Sequence, residues 1–312
     1  MNFWNTLKEQ LYKHQNLMLL LVVESLGSSP GRQGFKMLVM PNGDLKGSIG
    51  GGVMEFAMVE EAKNQLSQNK EQVFLKRQIH RGVKLEGSGM ICSGEQTLAF
   101  IPLNGSHLPT IEKLMSNKRG TLSLTEKGLY YEKETFQNQL FFFKKLADKQ
   151  WIYSERIQKK PKLYVIGGGH VGAATAILCQ QIGFEVILFD NRLGLNTFEA
   201  LPLSVEKHII DYKKIADYIE EGAAVYVTIM THGYKDDKIA LAPLLNKNFK
   251  FLGVMGSKSK LNVLFEVLKS EGFTDDLLAK VYAPLGLFIK SETPEEIAIS
   301  VAAQLIKIKN TN

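Results

Sequence analysis

A glycine-rich turn joins a short apolar run to a helical pattern in the second half of this chain. The predicted strand Leu163–Ile166 runs into Gly167-Gly168-Gly169-His170-Val171-Gly172. This glycine spacing is close to the fingerprint of dinucleotide-binding folds. In that fingerprint Gly167 permits the tight turn, Gly169 lets the backbone approach a phosphate, and Gly172 lets the helix pack on the strand. The first N–H groups of the helix are then free to bind an anion. The pattern predicts a phosphate-bearing ligand at this turn, or a related fold whose ligand site has been reused or lost.

Short apolar runs alternate with amphipathic stretches from Lys162 onward. Strand, helix and strand repeated in this order give a parallel sheet with helices on both faces. We therefore expect an α/β protein whose residues 161–312 form a Rossmann-like, doubly wound parallel-sheet domain. Its strands are expected at Leu163–Ile166, Glu185–Phe189, Val225–Met230, Lys250–Met255 and near Val281.

Ligands of open parallel sheets lie beyond the carboxyl ends of the strands. Asp190, at the end of the second strand, is placed to accept a hydrogen bond from a ribose hydroxyl, which favours NAD. Arg192 adds a planar donor fork that suits a phosphate, so the choice between NAD and NADP stays open. Asp190 as a cap of the next turn, with Arg192 exposed, is an equally good interpretation.

Two other predicted strand ends border the same crevice. His232, in Thr231-His232-Gly233, is a candidate proton carrier or hydrogen-bond donor, or else a structural histidine. Ser257 begins a helix after Gly256 and resembles an N-cap within an anion nest, where Lys258 would neutralise charge. Lysines in a first helical turn are often merely solvated.

The chain has 312 residues, which predicts two domains at roughly 100–200 residues each. Residues 1–105 indicate an α+β domain that opens with a helix, a strand and a hairpin, and residues 106–160 indicate a connector with some structure. In the first domain Gly50-Gly51-Gly52 begins a helix and predicts a second anion-binding nest, with Glu55 one turn in.

Composition excludes several classes of protein. The 38 Lys and Arg exceed the 32 Asp and Glu and give a formal net charge of +6, but they form no basic block, which argues against nucleic acid as a partner. The longest apolar run, Leu17–Val23, is far shorter than the roughly 20 residues that span a bilayer. With two cysteines and no leader-like start, the chain is expected to be cytoplasmic.

The two cysteines differ in their surroundings. Cys179 falls in the amphipathic helix after the glycine-rich turn and is expected in the core. Cys92 lies between glycines in Gly89-Met90-Ile91-Cys92-Ser93-Gly94, which predicts an accessible thiol, although a cysteine in such a loop is more often an ordinary residue than a ligand.

Taken together, these motifs resemble the XdhC/CoxI family, the accessory proteins of xanthine dehydrogenase and related molybdenum hydroxylases. The match spans nearly the whole chain. In the first domain it rests on Gly27–Pro30, Gly34–Val39, Gly47–Glu55 and Cys92-Ser93-Gly94. In the second it rests on Gly167–Gly172, Asp190–Arg192, Thr231-His232, Gly253–Lys258, Pro284–Leu287 and Thr293–Ala298.

The resemblance implies a homodimer that binds the molybdenum cofactor, protects it while a cysteine desulfurase installs its terminal sulfur, and passes it to a xanthine dehydrogenase-type apo-enzyme. It implies a carrier and not a turnover enzyme. Two positions depart from the family pattern. Cys92-Ser93-Gly94 stands where Cys-Gly-Gly is usual, and Gly233 stands where an acidic residue usually follows Thr-His.

Under this resemblance, Cys92 is expected to contact the molybdenum centre or its sulfur as a soft thiolate ligand, while the second domain holds the phosphate end of the cofactor. Two alternatives remain open. One is an NAD(P)-dependent oxidoreductase or nucleotide-binding regulator that uses the Rossmann-like domain, with His232 moving a proton. The other is a scaffold that only brings partner proteins together, its glycine motifs serving as turns.

Overall fold

The computed structural model describes residues 3–13, 16–80, 94–117, 119–133, 139–147, 149–157 and 159–311. The chain divides into two compact units, Met1–Lys159 and Lys160–Asn312. Among the residues described, we find no helix with the length and apolar character needed to cross a membrane.

The first unit begins with a five-stranded antiparallel sheet. Strand β1 lies at its centre, in the order β3-β2-β1-β5-β4, and the expected hairpin is formed by β2 and β3. Helix α2 packs on one face of this sheet through Met58, Val59 and Ala62. The elements are α1 (Phe3–Lys13), β1 (Leu17–Gly27), β2 (Lys36–Val39), β3 (Leu45–Gly47), α2 (Gly52–Ser67), β4 (Phe74–His80) and β5 (Gly94–Leu103).

The stretch 106–160, interpreted from the sequence as a connector, contains a helix and a second antiparallel sheet of four strands in the order β7-β6-β9-β8. Leu122, Leu124 and Tyr153 of this sheet are buried in the same apolar cluster as Leu19 and Leu21 of β1. The stretch therefore contributes to the core of the first unit. Its elements are α3 (Leu108–Ser116), β6 (Thr121–Thr125), β7 (Gly128–Glu132), β8 (Phe141–Lys145) and β9 (Trp151–Arg156).

A part-buried ion pair also joins the two sheets of the first unit. The Lys36 ammonium on β2 lies 2.6 Å from Glu155 Oε2 on β9, and the Tyr153 hydroxyl donates to the same oxygen at 3.0 Å. Burial raises the pKa of Tyr153, and the neighbouring Glu155 carboxylate raises it further, so the phenol keeps its proton.

The second unit is built on a five-stranded parallel sheet in the order β12-β11-β10-β13-β14. This confirms the α/β class and the Rossmann-like parallel sheet. Its strands are β10 (Lys162–Ile166), β11 (Glu185–Asp190), β12 (Glu206–Ile209), β13 (Gly222–Ile229) and β14 (Phe249–Val254). Its helices are α4 (His170–Gln181), α5 (Asn196–Glu199), α6 (Ile215–Tyr218), α7 (Tyr234–Leu241), α8 (Lys258–Ser270), α9 (Asp275–Leu278) and α10 (Pro294–Asn310).

Helices cover both faces of this sheet because neighbouring strand residues point to opposite sides. On β10, Leu163 and Val165 belong to the cluster that includes α4 and α10, whereas Tyr164 and Ile166 belong to the cluster that includes α7 and α8. The near-continuous apolar character of the central strands follows from this burial on both sides.

Two strands of the second unit differ from expectation. Edge strand β12 was not expected, because three of its four residues are exposed and its sequence, Glu206-Lys207-His208-Ile209, has no apolar run. Near Val281 the chain forms a single bridge, between Gly253 and Tyr282, in place of the expected strand.

Leu124→Ala tests whether the second sheet belongs to the core of the first unit. Leu124 is fully buried, so its truncation should lower the free energy of unfolding of the whole first unit by about 2–5 kcal/mol. Tryptophan fluorescence during urea denaturation measures this, since Trp4 and Trp151, the two tryptophans of the chain, both lie in that unit. Leu146→Ala, at a side chain 60% exposed, is the control and should change stability by less than about 0.5 kcal/mol. An unchanged midpoint for Leu124→Ala would contradict the shared core.

Candidate functional site

A cavity of about 660 Å³ lies at the carboxyl ends of the strands in the second unit. This volume falls in the usual range of small-molecule sites, about 300–1,000 Å³. The thioether side chains of Met230 and Met255 and the backbone of Gly169 form part of its wall. The guanidinium of Arg192 and the imidazoles of His170 and His232 also line it. The crevice that the sequence predicted is therefore present, with a largely apolar wall and a few polar groups.

Two glycines allow the helix α4 to start directly above the end of β10. Gly167 has φ +111°, and a Cβ there would lie 2.4 Å from the carbonyl oxygen of Met230. A Cβ on Gly172 would lie 1.8 Å from the carbonyl oxygen of Gly167. Neither position can hold a larger residue without moving backbone, which agrees with the turn and packing roles inferred from the sequence.

Gly169 behaves differently from these two glycines. Its φ is −65°, a value that any residue can adopt, and a Cβ built on it meets no atom within 4 Å. Gly169 is the N-cap of α4 and lines the cavity, where the first N–H groups of the helix lack intrahelical partners. Folding therefore does not require glycine at this position.

The Asp190 carboxylate is fully buried and hydrogen-bonded through both oxygens. Oδ2 accepts from the Gly168 N–H at 2.6 Å and from Arg192 Nη2 at 2.8 Å. Oδ1 accepts from the backbone N–H of Arg192 at 2.9 Å and from its Nε at 2.8 Å. Asp190 thus links the glycine-rich turn to the segment after β11 and holds the Arg192 guanidinium in place.

Burial by itself would raise the pKa of Asp190, because it disfavours the charged form. Hydrogen bonds from Arg192 and the Gly168 N–H act in the opposite direction and outweigh it, so the pKa of Asp190 lies below its ordinary value. The carboxylate is ionised at neutral pH.

Asp237 is a buried acid that sequence analysis missed. Its Oδ1 accepts from the Thr231 hydroxyl at 2.6 Å and from the Thr231 N–H at 3.1 Å, and its Oδ2 forms an ion pair with the Lys260 ammonium. Lys260 also donates to the Met255 carbonyl at 3.2 Å. These contacts fix the segments after β13 and β14 relative to each other. The sequence feature that could have indicated this role is an acidic residue in the first turn of the helix that follows Thr231-His232.

The remaining candidates of the second unit fall into two groups. His170 and His232 are exposed side chains that line the cavity, together with Arg192. Ser257 and Lys258 are exposed and do not line it. The Ser257 hydroxyl accepts from the Lys260 N–H at 3.3 Å, which is the N-cap role inferred from the sequence.

In the first unit, the nest predicted at Gly50-Gly51-Gly52 is filled by the protein itself. Glu55 Oε2 accepts from the Ile49 N–H at 2.9 Å, the Gly51 N–H at 3.0 Å and the Ser48 hydroxyl at 2.8 Å. Partial burial would raise the pKa of Glu55, but these hydrogen bonds lower it further than burial raises it. Two backbone donors of this loop, the N–H groups of Ile49 and Gly51, are therefore occupied by an internal carboxylate.

The buried side-chain amides of Gln78 and Gln96 form hydrogen bonds to the neighbouring loop and to the start of α2. Gln96 Oε1 accepts from the Ser29 hydroxyl at 2.9 Å and the Gly31 N–H at 3.0 Å, while its Nε2 donates to Gln78 Oε1 at 2.8 Å. Gln78 Nε2 in turn donates to the Met54 carbonyl, 3.0 Å away, in the first turn of α2. These hydrogen bonds connect the loop after β1 to strand β5, and the first turn of α2 to strand β4.

The predicted metal ligand Cys92 lies outside the described residues. Cys179 is buried as expected, and burial raises the pKa of its thiol to about 12, which keeps it protonated. Within the described part of the chain, no group of three or more His, Cys, Asp or Glu side chains is arranged to hold a metal ion.

Comparison with known proteins identifies the two units. The model of the XdhC Rossmann domain matches residues 163–305, which contain the cavity, and the model of the XdhC and CoxI family matches residues 11–77. The chain belongs to the XdhC and CoxI family.

Similar proteins agree with this family. The chain is 27% identical to an uncharacterized Escherichia coli protein, YqeB, over 93% of this chain and 43% of that protein. It is 28% identical to a probable subunit of xanthine dehydrogenase from Bacillus subtilis, over 51% and 46% of the two chains. It is 22% identical to the molybdenum cofactor insertion chaperone PaoD of Escherichia coli, over 96% and 86%. The chain spans less than half the length of the first two relatives.

One solved structure shows the same fold along nearly all of the chain. A crystal structure of a xanthine dehydrogenase from Bacillus halodurans superposes with a TM-score of 0.76, at 22% identity, and covers 99% of this chain and 96% of its own. The fold of that structure therefore corresponds to both units of this chain.

The ionised state of Asp190 gives a prediction about acid stability. Folding lowers the pKa of Asp190. The ionised carboxylate therefore stabilises the folded state fully above its unfolded-state pKa of about 3.9, and this stabilisation is lost as pH falls through the folded-state pKa. Asp190→Asn should destabilise the second unit at pH 7, and its difference from the wild type should shrink as pH falls below about 4.

Urea denaturation at several pH values measures this difference, with hydrogen exchange of β10 and β11 as the probe. Glu199→Gln, at an exposed carboxylate of the same unit, is the matched control and should show no comparable change with pH. A difference between Asp190→Asn and wild type that is the same at pH 7 and pH 3 would contradict the assignment.

Proposed function

We propose that this chain is a cytoplasmic carrier of the molybdenum cofactor that serves a xanthine dehydrogenase-type apo-enzyme. The observation that carries the proposal is the ligand-sized cavity of the XdhC Rossmann domain, with an open backbone position at Gly169. The similarity to a molybdenum cofactor insertion chaperone over most of both chains supports the same assignment.

The chemistry of the cavity suits a pterin dithiolene that ends in a phosphate. The N-terminus of α4 supplies N–H donors and a favourable dipole for the phosphate, and Gly169 leaves room for it to approach. Met230 and Met255 supply an apolar, polarizable wall for the uncharged part of the ligand. Within this cavity hydrogen bonds and packing would hold such a ligand, and contacts of this kind permit release, as a carrier requires.

The first unit has a different part in this proposal. Its glycine-rich nest is filled by Glu55, so the phosphate end is assigned to the second unit. Cys92 is proposed to contact the molybdenum centre or its sulfur as a thiolate, since a soft ligand suits that end of the cofactor. Transfer of sulfur from a cysteine desulfurase and action as a homodimer belong to the same proposal and rest on the family resemblance.

Gly169→Asp tests the assignment of the phosphate end. The new side chain enters open space, so the fold should persist, while its carboxylate occupies the approach to the helix N-terminus and repels a phosphate. Binding of purified molybdenum cofactor should weaken at least tenfold, and activation of an apo-xanthine dehydrogenase should fall in parallel.

Gly105→Asp is the matched control for this variant. Gly105 also has open space around its Cβ and an ordinary backbone conformation, but it lies in the first unit. It should bind the cofactor as the wild type does. Full cofactor binding by a folded Gly169→Asp protein would remove the second unit from the proposed site.

Cys92→Ala tests the assignment of the metal end. If the thiolate contacts molybdenum or its sulfur, the variant should still bind the phosphate end but lose at least tenfold in affinity for the complete cofactor relative to wild type. Cys179→Ala, at a thiol that burial keeps protonated, is the control for loss of a cysteine and should not change that affinity. Equal cofactor affinity and equal activation of the apo-enzyme by Cys92→Ala and wild type would contradict a metal contact.

A further inference from the structure

Asp190 occupies the position from which an acid reads a ribose diol in dinucleotide-binding sheets. Here its side chain is 0% exposed, and four hydrogen bonds from Gly168 and Arg192 fill its two oxygens. A carboxylate offers about four acceptor positions in all. Asp190 therefore has no acceptor left for a hydroxyl group of a ligand.

Arg192 takes the exposed position at this end of the cavity. Its side chain is 40% exposed and lines the cavity, while Nε and Nη2 donate to Asp190. A guanidinium has five N–H donors, so Nη1 remains to face a ligand; among residues 159–311 the structure shows no acceptor bound to it. The polar group offered to the ligand is thus a cation with donors only.

The orientation of the Arg192 guanidinium is already fixed before a ligand binds. Two hydrogen bonds to a buried carboxylate restrict its rotamers, so a ligand meets little further loss of side-chain entropy. Hydrogen bonding to the Asp190 carboxylate, together with the negative charge of that carboxylate, raises the pKa of Arg192 more than burial lowers it. The positive charge therefore persists at every pH at which the protein is folded.

We propose that the cavity prefers phosphate-bearing ligands that place a second anionic group at Arg192 over ligands that offer a neutral vicinal diol there. This inference rests on the proposed function, in which the cavity binds a phosphate-bearing ligand, and it specifies the class of that ligand. Among nucleotides, the preference favours a 2′-phosphorylated ribose over a free ribose, which resolves the choice that Asp190 and Arg192 leave open in the sequence.

Equilibrium binding to the full chain tests the preference with two matched pairs of probes. The first pair is NADP⁺ and NAD⁺, and the second is adenosine 2′,5′-bisphosphate and 5′-AMP. In each pair the 2′-phosphorylated probe should bind at least tenfold more tightly at low ionic strength, and the ratio should decrease as salt screens the contact.

Arg192→Gln shows which residue produces the ratio. Removing the guanidinium removes the cation and releases Asp190 oxygens for a diol, so the ratio should fall to about one or reverse in favour of NAD⁺. Lys213→Gln, at an exposed cation of the same unit that does not line the cavity, should leave the ratio unchanged. If Arg192→Gln fails to fold, the wild-type ratio and its salt dependence decide the question.

Equal binding of NADP⁺ and NAD⁺ by the wild type, a preference for NAD⁺, or a preference that survives in folded Arg192→Gln would overturn the inference. Failure of all four nucleotides to bind would overturn it as well. None of these results bears on molybdenum cofactor binding, which is measured with the cofactor itself, so failure of this inference is distinguishable from failure of the proposed function.

Discussion

The buried carboxylate of Asp190 holds together the region on which the rest of the second unit's site depends. It accepts the Gly168 N–H from the turn after β10, and it binds both the backbone and the guanidinium of Arg192 after β11. A buried charge is costly unless it is paired and hydrogen-bonded, and here four donors meet that requirement. One residue therefore sets the shape of the glycine-rich turn, the orientation of Arg192 and the polarity of the cavity mouth.

The backbone donors at the two glycine-rich helix starts of the chain have different hydrogen-bond partners, although the two sequences are similar. At Gly50-Gly51-Gly52 the loop donors point to Glu55, which supplies the negative charge from within the chain. At Gly167–Gly172 the acid is Asp190 on the next strand, which accepts the Gly168 N–H of this turn, and the start of α4 lines the cavity. The internal carboxylate in the loop of the first unit and the cavity at the start of α4 support the proposal that the second unit binds the phosphate end of a cofactor.

Sequence reasoning predicted the parallel sheet, the glycine-rich turn and the cavity position, because these follow from residue spacing along one strand–helix unit. It did not predict strand β12, whose polar residues form an exposed edge without apolar alternation. It also missed Asp237, whose role depends on Thr231 and Lys260 from different elements. It missed the core role of the second sheet for the same reason. Leu122 and Leu124 of the short strand Thr121–Thr125 are buried in one apolar cluster with residues of β1, which lies far earlier in the chain.

The measurement that bears most directly on the central claim is a crystal structure of the chain loaded with molybdenum cofactor. The account predicts the cofactor phosphate within hydrogen-bond distance of the N–H groups at the start of α4, beside Gly169, with a cationic contact from Arg192. A cofactor bound elsewhere, with the cavity of the second unit empty of its phosphate, would contradict the account.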